Sequence, residues 1–323
     1  MSKNNYAFAV AQVRSYENGL LGKNLYEQIL AASSEKEVFD LLASRGWEIP
    51  EGLKSAEELL CREQQGVWEL LNGLAPNEPD LKLFTLKNDY HNLKTVIKAF
   101  YGNTDYEENL IFPAGVDKET LIAAVTEKKY DLLPKDMRET AEEAYSVLAA
   151  SGDGQSADII VDRGACEAYL KLGRETESEM VKKYCQLTVE ASDIKTAFRG
   201  AVTGKNDEFY EKALCGSDYL DKKALTRAAR KGADEVITFL NGAGYSDAVA
   251  ALKVSLSEFE KWFDYEILSL LGEANFITFG VEPLIAYGVK RENEFKNIRI
   301  ALTCKNMGAD LSVTEERMRI ADV

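Results

Sequence analysis

One histidine, His91, stands in 323 residues. A single imidazole excludes two-histidine metal sites and relays that pass a proton between imidazoles. The five cysteines, Cys61, Cys166, Cys185, Cys215 and Cys304, are never spaced as the close pairs that clamp zinc. They read as buried, reduced thiols of a cytosolic chain. Carboxylates are abundant, 54 Asp and Glu, and two of them about 5 to 10 Å apart could share acid and base work. The visible acidic pairs, Glu57-Glu58, Glu107-Glu108 and Glu142-Glu143, are adjacent on helical patterns and point apart. Solvated helix faces explain them better than a carboxylate-dependent hydrolase, which rests on acid abundance alone. Gly152-Asp153-Gly154 lacks the acidic alternation and terminal glutamate of a calcium loop and reads as a surface turn. Neither a Walker loop nor a dinucleotide fingerprint can be written onto the chain. No catalytic residue, metal or cofactor is therefore expected.

The elements around these residues repeat. Leu86 to Lys98, Leu187 to Arg199 and Gly288 to Ile300 align, and their lysines, Lys94, Lys195 and Lys296, stand at two equal intervals of 101 residues. Each lysine follows an apolar residue (Leu93, Ile194, Phe295), which itself follows a polar one (Asn92, Asp193, Glu294). Glu37 to Leu42 resembles Glu235 to Leu240, and Gly46-Trp47 resembles Gly244-Tyr245. Length alone suggests roughly two domains at about 150 residues each. The repeat raises the count to three, spanning 1–113, 114–215 and 216–323.

Apolar spacing makes the units helical. Leu86, Tyr90, Leu93, Ile97 and Phe100 fall on one helical stripe, as do Leu187, Ala191, Ile194, Phe198 and Ala201. Asp158-Ile159-Ile160-Val161 is the best strand candidate, and it is short. The pattern breaks at Phe112 to Asp117 and again at Leu214 to Asp218. The expected fold is all-α.

One departure stands inside the repeat. Tyr90 and Ile97, like Ala191 and Phe198, are apolar, whereas the third unit carries Glu292 and Arg299 there. Two readings follow: a partly buried ion pair or network inside the last unit, or a polar patch offered to a partner. Lys94, Lys195, Glu292, Glu294, Lys296 and Arg299 are the candidate interface or structural residues.

The charge balance, 39 basic against 54 acidic residues for a net −15, opposes non-specific attraction to nucleic acid or anionic lipid. Six prolines, well below the usual share of about 5 %, suit long helices. No run approaches 18 uncharged apolar residues, and Met1 to Tyr6 lacks the basic and apolar pattern of a secretion signal. The chain is not expected to span a membrane.

Gly280 to Tyr287, followed by Lys290 to Ile300, resembles the C-terminal signature of the C subunit of V-type (A-type) ATPases and ATP synthases, the counterpart of the eukaryotic d subunit. Tyr6-Ala7, Val10-Ala11, Val13-Arg14, Glu17, Leu20-Leu21 and Tyr26 resemble that family's first helix. Leu187 to Glu190, Asp193 to Thr196 and Arg199 extend the likeness into the middle unit. The resemblance implies a funnel of three similar helical domains about a pseudo-threefold axis. It further implies a non-catalytic rotor part at the cytoplasmic face of the membrane, peripheral within the ATPase. Its partners would be the D and F subunits of the central stalk, the membrane proteolipid ring carrying H⁺ or Na⁺, and the membrane stator, with no nucleic acid. The alternative is a general helical-repeat scaffold with other partners.

Overall fold

A computed structural model describes residues 6–53 and 55–320. Met1 to Asn5, read above for a leader, lie outside the described residues. Among those described, the chain is all-helical with no strand, as the spacing requires. Its helices are α1 (Tyr6–Glu17), α2 (Lys23–Ala31), α3 (Glu35–Ala43), α4 (Ala56–Leu74), α5 (Leu83–Gly102), α6 (Lys118–Thr126), α7 (Lys135–Ser151) and α8 (Gly154–Glu175). There follow α9 (Glu179–Val202), α10 (Asp207–Ala213), α11 (Lys222–Lys231), α12 (Ala233–Gly242), α13 (Ser246–Val254), α14 (Leu256–Leu271), α15 (Glu282–Asn306) and α16 (Leu311–Arg317).

Local chemistry sets many of the helix ends. Ser34, Ser55, Asp117, Ser178 and Asn206 cap α3, α4, α6, α9 and α10, each accepting a backbone N–H from the first turn. Asn103 and Gly152 close α5 and α7 in the left-handed region. The turn expected at Gly152 to Gly154 is present, and Asp153 within it caps α8. The strand candidate Asp158 to Val161 lies instead in α8. Its β-branched run is overridden because Ala157, Ile160, Val161, Gly164 and Ala168 form a helical stripe buried against neighbouring helices.

Two compact units result, Met1–Leu81 with Glu260–Val323, and Lys82–Phe259. In the first, Leu25, Ile29, Val38, Leu42, Trp47, Leu59 and Leu60 pack against Phe295, Ile298 and Leu302 of α15. The second has a core of Leu93, Val96 and Ile97 from α5 against α6, α7 and α8, where Ala141, Ala144 and Ala157 are fully buried. The expected stripe of α5 holds through Tyr90, Leu93 and Ile97 and emerges at Phe100, which is exposed. On α9 the deepest residues are Val181, Cys185, Val189, Ile194 and Ala197, while Leu187 and Phe198 are half-buried, because α9 is packed on several sides.

Gly200 marks one tight contact. A Cβ there would lie 2.7 Å from the ring of fully buried Tyr210 in α10. Gly200→Val should therefore destabilise by about 1–3 kcal/mol through overpacking. Urea unfolding measures this, and an unchanged midpoint would mean that α10 simply moves aside.

Candidate functional site: three gripping helices

The repeat lysines lie on α5, α9 and α15. In each helix the polar residue two places before the lysine is buried: Asn92, Asp193 and Glu294. On α5, the Asn92 side chain donates to the Ile111 carbonyl and accepts its N–H, both at 2.8 Å. One turn earlier, Asp89 Oδ1 accepts N–H groups from Gly115 at 2.8 Å and Val116 at 3.0 Å. Glycine is required at 115, since a Cβ would stand 2.8 Å from Asp89 Oδ2.

On α9, Asp193 accepts from the backbone N–H of Cys215 at 3.0 Å and of Gly216 at 2.6 Å. Glu190 accepts the Ser217 hydroxyl at 2.8 Å, and Gln186 donates to Asp218 at 2.9 Å. On α15, Glu294 accepts the Leu21 N–H and the Arg291 guanidinium, the latter at 2.6 Å. Arg291 also donates to Glu63 at 2.8 Å and lies 4.9 Å from the ring centres of both Trp47 and Phe295. Asn297 exchanges two hydrogen bonds with the backbone of Arg319, at 2.9 and 2.7 Å. The segments Phe112 to Asp117 and Leu214 to Asp218, where the helical pattern breaks, are thus loops, each held by buried side chains of a long helix.

Burial dominates the electrostatics. It pushes the Asp89 and Asp193 carboxyls up to about 6, against the lowering effect of the N–H donors. Burial likewise raises Glu63, Glu190 and Glu294.

The other candidate residues make helix-to-helix ties. Lys94 pairs with Asp162 of α8 at 2.6 Å, and Lys296 with Asp264 of α14. Lys195 and Glu292 are half-buried on α9 and α15. Arg299 forms a bidentate pair with Glu57 of α4, at 2.7 and 2.9 Å, so its partner comes from the first third of the chain. Hydrogen bonding to Arg299 lowers the Glu57 carboxyl, but both groups are substantially exposed, and such a pair contributes only about 0–1 kcal/mol.

Arg291 and Trp47, central to the α15 arrangement, were not among the candidates. The Gly46-Trp47 likeness to Gly244-Tyr245 pointed to Trp47, and the aligned segment Gly288 to Ile300 contains Arg291. His91 is exposed, with Nε2 3.1 Å from the Asn109 carbonyl. All five cysteines are free, but the expectation of burial fails for Cys61, which is exposed, and Cys215, which is half-buried. Burial pushes the thiols of Cys166 and Cys215 up to about 12, which keeps them protonated and poorly nucleophilic near pH 7.

Among the described residues, no group of His, Cys, Asp and Glu is arranged to hold a metal. A cavity of about 120 Å³ in the first unit is lined by Leu20, Leu21, Tyr26, Lys290, Glu294 and Arg319, among others. Its glutamate is the one already gripping Leu21. Large apolar side chains meet solvent at Phe8, Phe276 and Phe279 in the first unit, and at Tyr101 and Tyr219 in the second. No described helix is long and apolar enough to cross a membrane.

Long helices whose buried polar side chains grip loops define an all-helical protein. A model of the family described as ATP synthase (C/AC39) subunit matches residues 9–317, and the chain belongs to that family. It is 24 % identical to the C subunit of the V-type sodium ATPase of Enterococcus hirae over 314 residues, covering 95 % of this chain and 96 % of that one. The C subunit of the V-type ATP synthase of Thermus thermophilus is 23 % identical over 323 residues, covering 97 % and 98 %. The C subunit of the A-type ATP synthase of Methanocaldococcus jannaschii is 24 % identical over 331 residues, covering 93 % and 82 %.

Proposed function

We propose that this chain is the non-catalytic rotor adaptor of a V/A-type ATPase, coupling the central stalk to the membrane proteolipid ring. The observation that carries the reading is the family match across residues 9–317, with relatives named as the C subunit of such enzymes matched nearly end to end. In this reading the three repeats, 1–113, 114–215 and 216–323, form a pseudo-threefold funnel. The D and F subunits of the stalk engage one side, and the ring, with the membrane stator beside it, lies at the other.

The physical properties suit a mechanical part. Torque must cross the protein without being absorbed as internal deformation, and packed helices tied by buried side chains resist deformation. Docking needs broad interfaces of about 1,200–2,000 Å² or more, and the exposed Phe8, Phe276 and Phe279 are side chains that such interfaces cover. A net charge of −15 makes docking by contacts to protein more favourable than docking by anionic headgroups. The Enterococcus relative is named a sodium ATPase and the others ATP synthases, so the transported ion, H⁺ or Na⁺, and the direction belong to each enzyme.

Removing this protein from the complex should leave ATP hydrolysis by the soluble head intact and abolish ATP-driven ion uptake by vesicles. Full uptake without it would overturn the proposal. Co-purification with the proteolipid ring separates an adaptor from a general scaffold, which would come away with other partners.

A further inference from the structure

The grips on α9 and α15 are equivalent in their repeat positions. Five places before the repeat lysine stand Asp89, Glu190 and Arg291, and two places before it Asn92, Asp193 and Glu294. Each set holds a segment that leads into a short helix. On α5 that segment is Ile111 to Val116, before α6. On α9 it is Cys215 to Asp218, before α11. On α15 it is Leu21, before α2.

The aromatic residues repeat the correspondence. Tyr245 follows α12, its N–H bonded to the Leu240 carbonyl at 2.9 Å, and its hydroxyl meets Glu190 of α9. Trp47 follows α3, its N–H bonded to the Leu42 carbonyl at 3.3 Å, and its ring meets Arg291 of α15. Gly46 and Gly244, just before them, share a left-handed backbone, with φ of 88° and 93°. The sequence repeat and the packing repeat are therefore out of phase. A long helix receives the short helices that follow it, and the last long helix receives the first short helices of the chain.

We infer that α15 is the receiving helix of the first repeat in space, so the chain closes on itself, and that within this closure the joint of Glu294 with Leu21 and of Arg291 with Trp47 opens before the equivalent grips on α5 and α9.

Two observations set this joint apart. It contains two buried polar atoms without a hydrogen-bond partner, Trp47 Nε1 and Arg291 Nε, and such atoms weaken a contact by the cost of their lost hydration. The cavity of about 120 Å³ lies against it, with Leu21 and Glu294 in its lining, so packing there is incomplete. The consequence is a built-in opening point. The N-terminal short helices can separate from α15 while the middle unit stays folded, and they acquire their support only when the C-terminal helix is present. This holds whether or not the rotor assignment is correct.

Hydrogen exchange on the full-length chain, read at single amides, tests the inference. In the parent protein, Leu21 should exchange at least tenfold faster than Gly216, and Trp47 at least tenfold faster than Tyr245, after correction for intrinsic rates. Glu294→Ala should accelerate residues 20–47 by a further tenfold and leave 111–116 and 214–245 at parent rates. Asp193→Ala should accelerate 214–245 and leave 20–47 and 111–116 at parent rates. Should Glu294→Ala fail to fold, Glu294→Gln, which keeps an acceptor for Leu21, is read in the same way at smaller amplitude. Equal rates at the paired amides of the parent would overturn the early opening. Acceleration by the Glu294 variant that spreads to 214–245, or that spares 20–47, would overturn the closure.

Discussion

Phe295→Ala should lower the stability of the first unit by about 3–5 kcal/mol, the range for truncating a buried aromatic residue. The side chain is 1 % exposed, meets Trp47 edge to face with ring centres 5.7 Å apart, and carries the Arg291 guanidinium 4.9 Å from its own centre. Truncation leaves a cavity and also removes one of the two aromatic surfaces beside a buried cation, whose attraction is worth about 0.5–2 kcal/mol. Phe295→Leu refills most of the space without the ring face and should cost less than half as much. Urea unfolding followed by tryptophan fluorescence gives both values. A loss below about 1 kcal/mol for the alanine variant would mean that α15 is not the core element described.

The second large effect depends on pH. Asp89 and Asp193 are 6 % and 1 % exposed, and burial raises their carboxyls from an ordinary 3.8 to about 6. A group raised in the native state binds its proton more tightly there than in the unfolded chain. Its stabilising contribution is full below about pH 4, falls as pH rises through 6, and is lost above. A shift of that size is worth up to about 3 kcal/mol per group. At Asp89 one carboxylate oxygen accepts both N–H groups, so asparagine keeps that acceptor and has no charge to desolvate. Asp193 instead uses both of its oxygens, one for each N–H, and asparagine would set an NH2 against one of them. The Asp89→Asn variant should therefore melt higher than the parent at pH 7.5, and its melting temperature should change less between pH 4 and 7. Thermal unfolding by circular dichroism across that range decides it. A parent that is the more stable form at pH 7.5 would show that the charge-assisted N–H bonds outweigh burial.

These two cases separate what was legible in the amino-acid order from what was not. The core stripe of α5, the turn at Gly152 and the loops at Phe112 and Leu214 all follow from neighbours in sequence. Helical periodicity, capping and left-handed turns involve residues a few places apart, so they leave a local signature. Asp158 to Val161 misled because its three-residue β-branched run, Ile159 to Val161, is weaker than the stripe that spans it. Cys61 misled because a cysteine's ordinary burial says nothing about which face of α4 it occupies.

The candidate site was only half legible for the same reason. The 101-residue interval singled out Lys94, Lys195 and Lys296, and beside them the polar residues that grip the loops. Nothing local says what Glu294 holds, because its partner Leu21 is 273 residues away. Arg299 looked like a partner for Glu292 at two turns' distance on one helix, yet its bidentate carboxylate is Glu57, 242 residues away. The absent phosphate loop and the single histidine concern residue type and spacing, so they could be read without coordinates.

Residue type and spacing alone determined an all-helical chain and the equal spacing of Lys94, Lys195 and Lys296 along it. Only the tertiary structure decided that the last long helix packs against the first short ones. The physical reason is that a helix can be specified by side chains within a few turns of one another. A buried carboxylate finds its donors wherever the fold brings a loop's unpaired N–H groups, and that meeting is written in no local pattern.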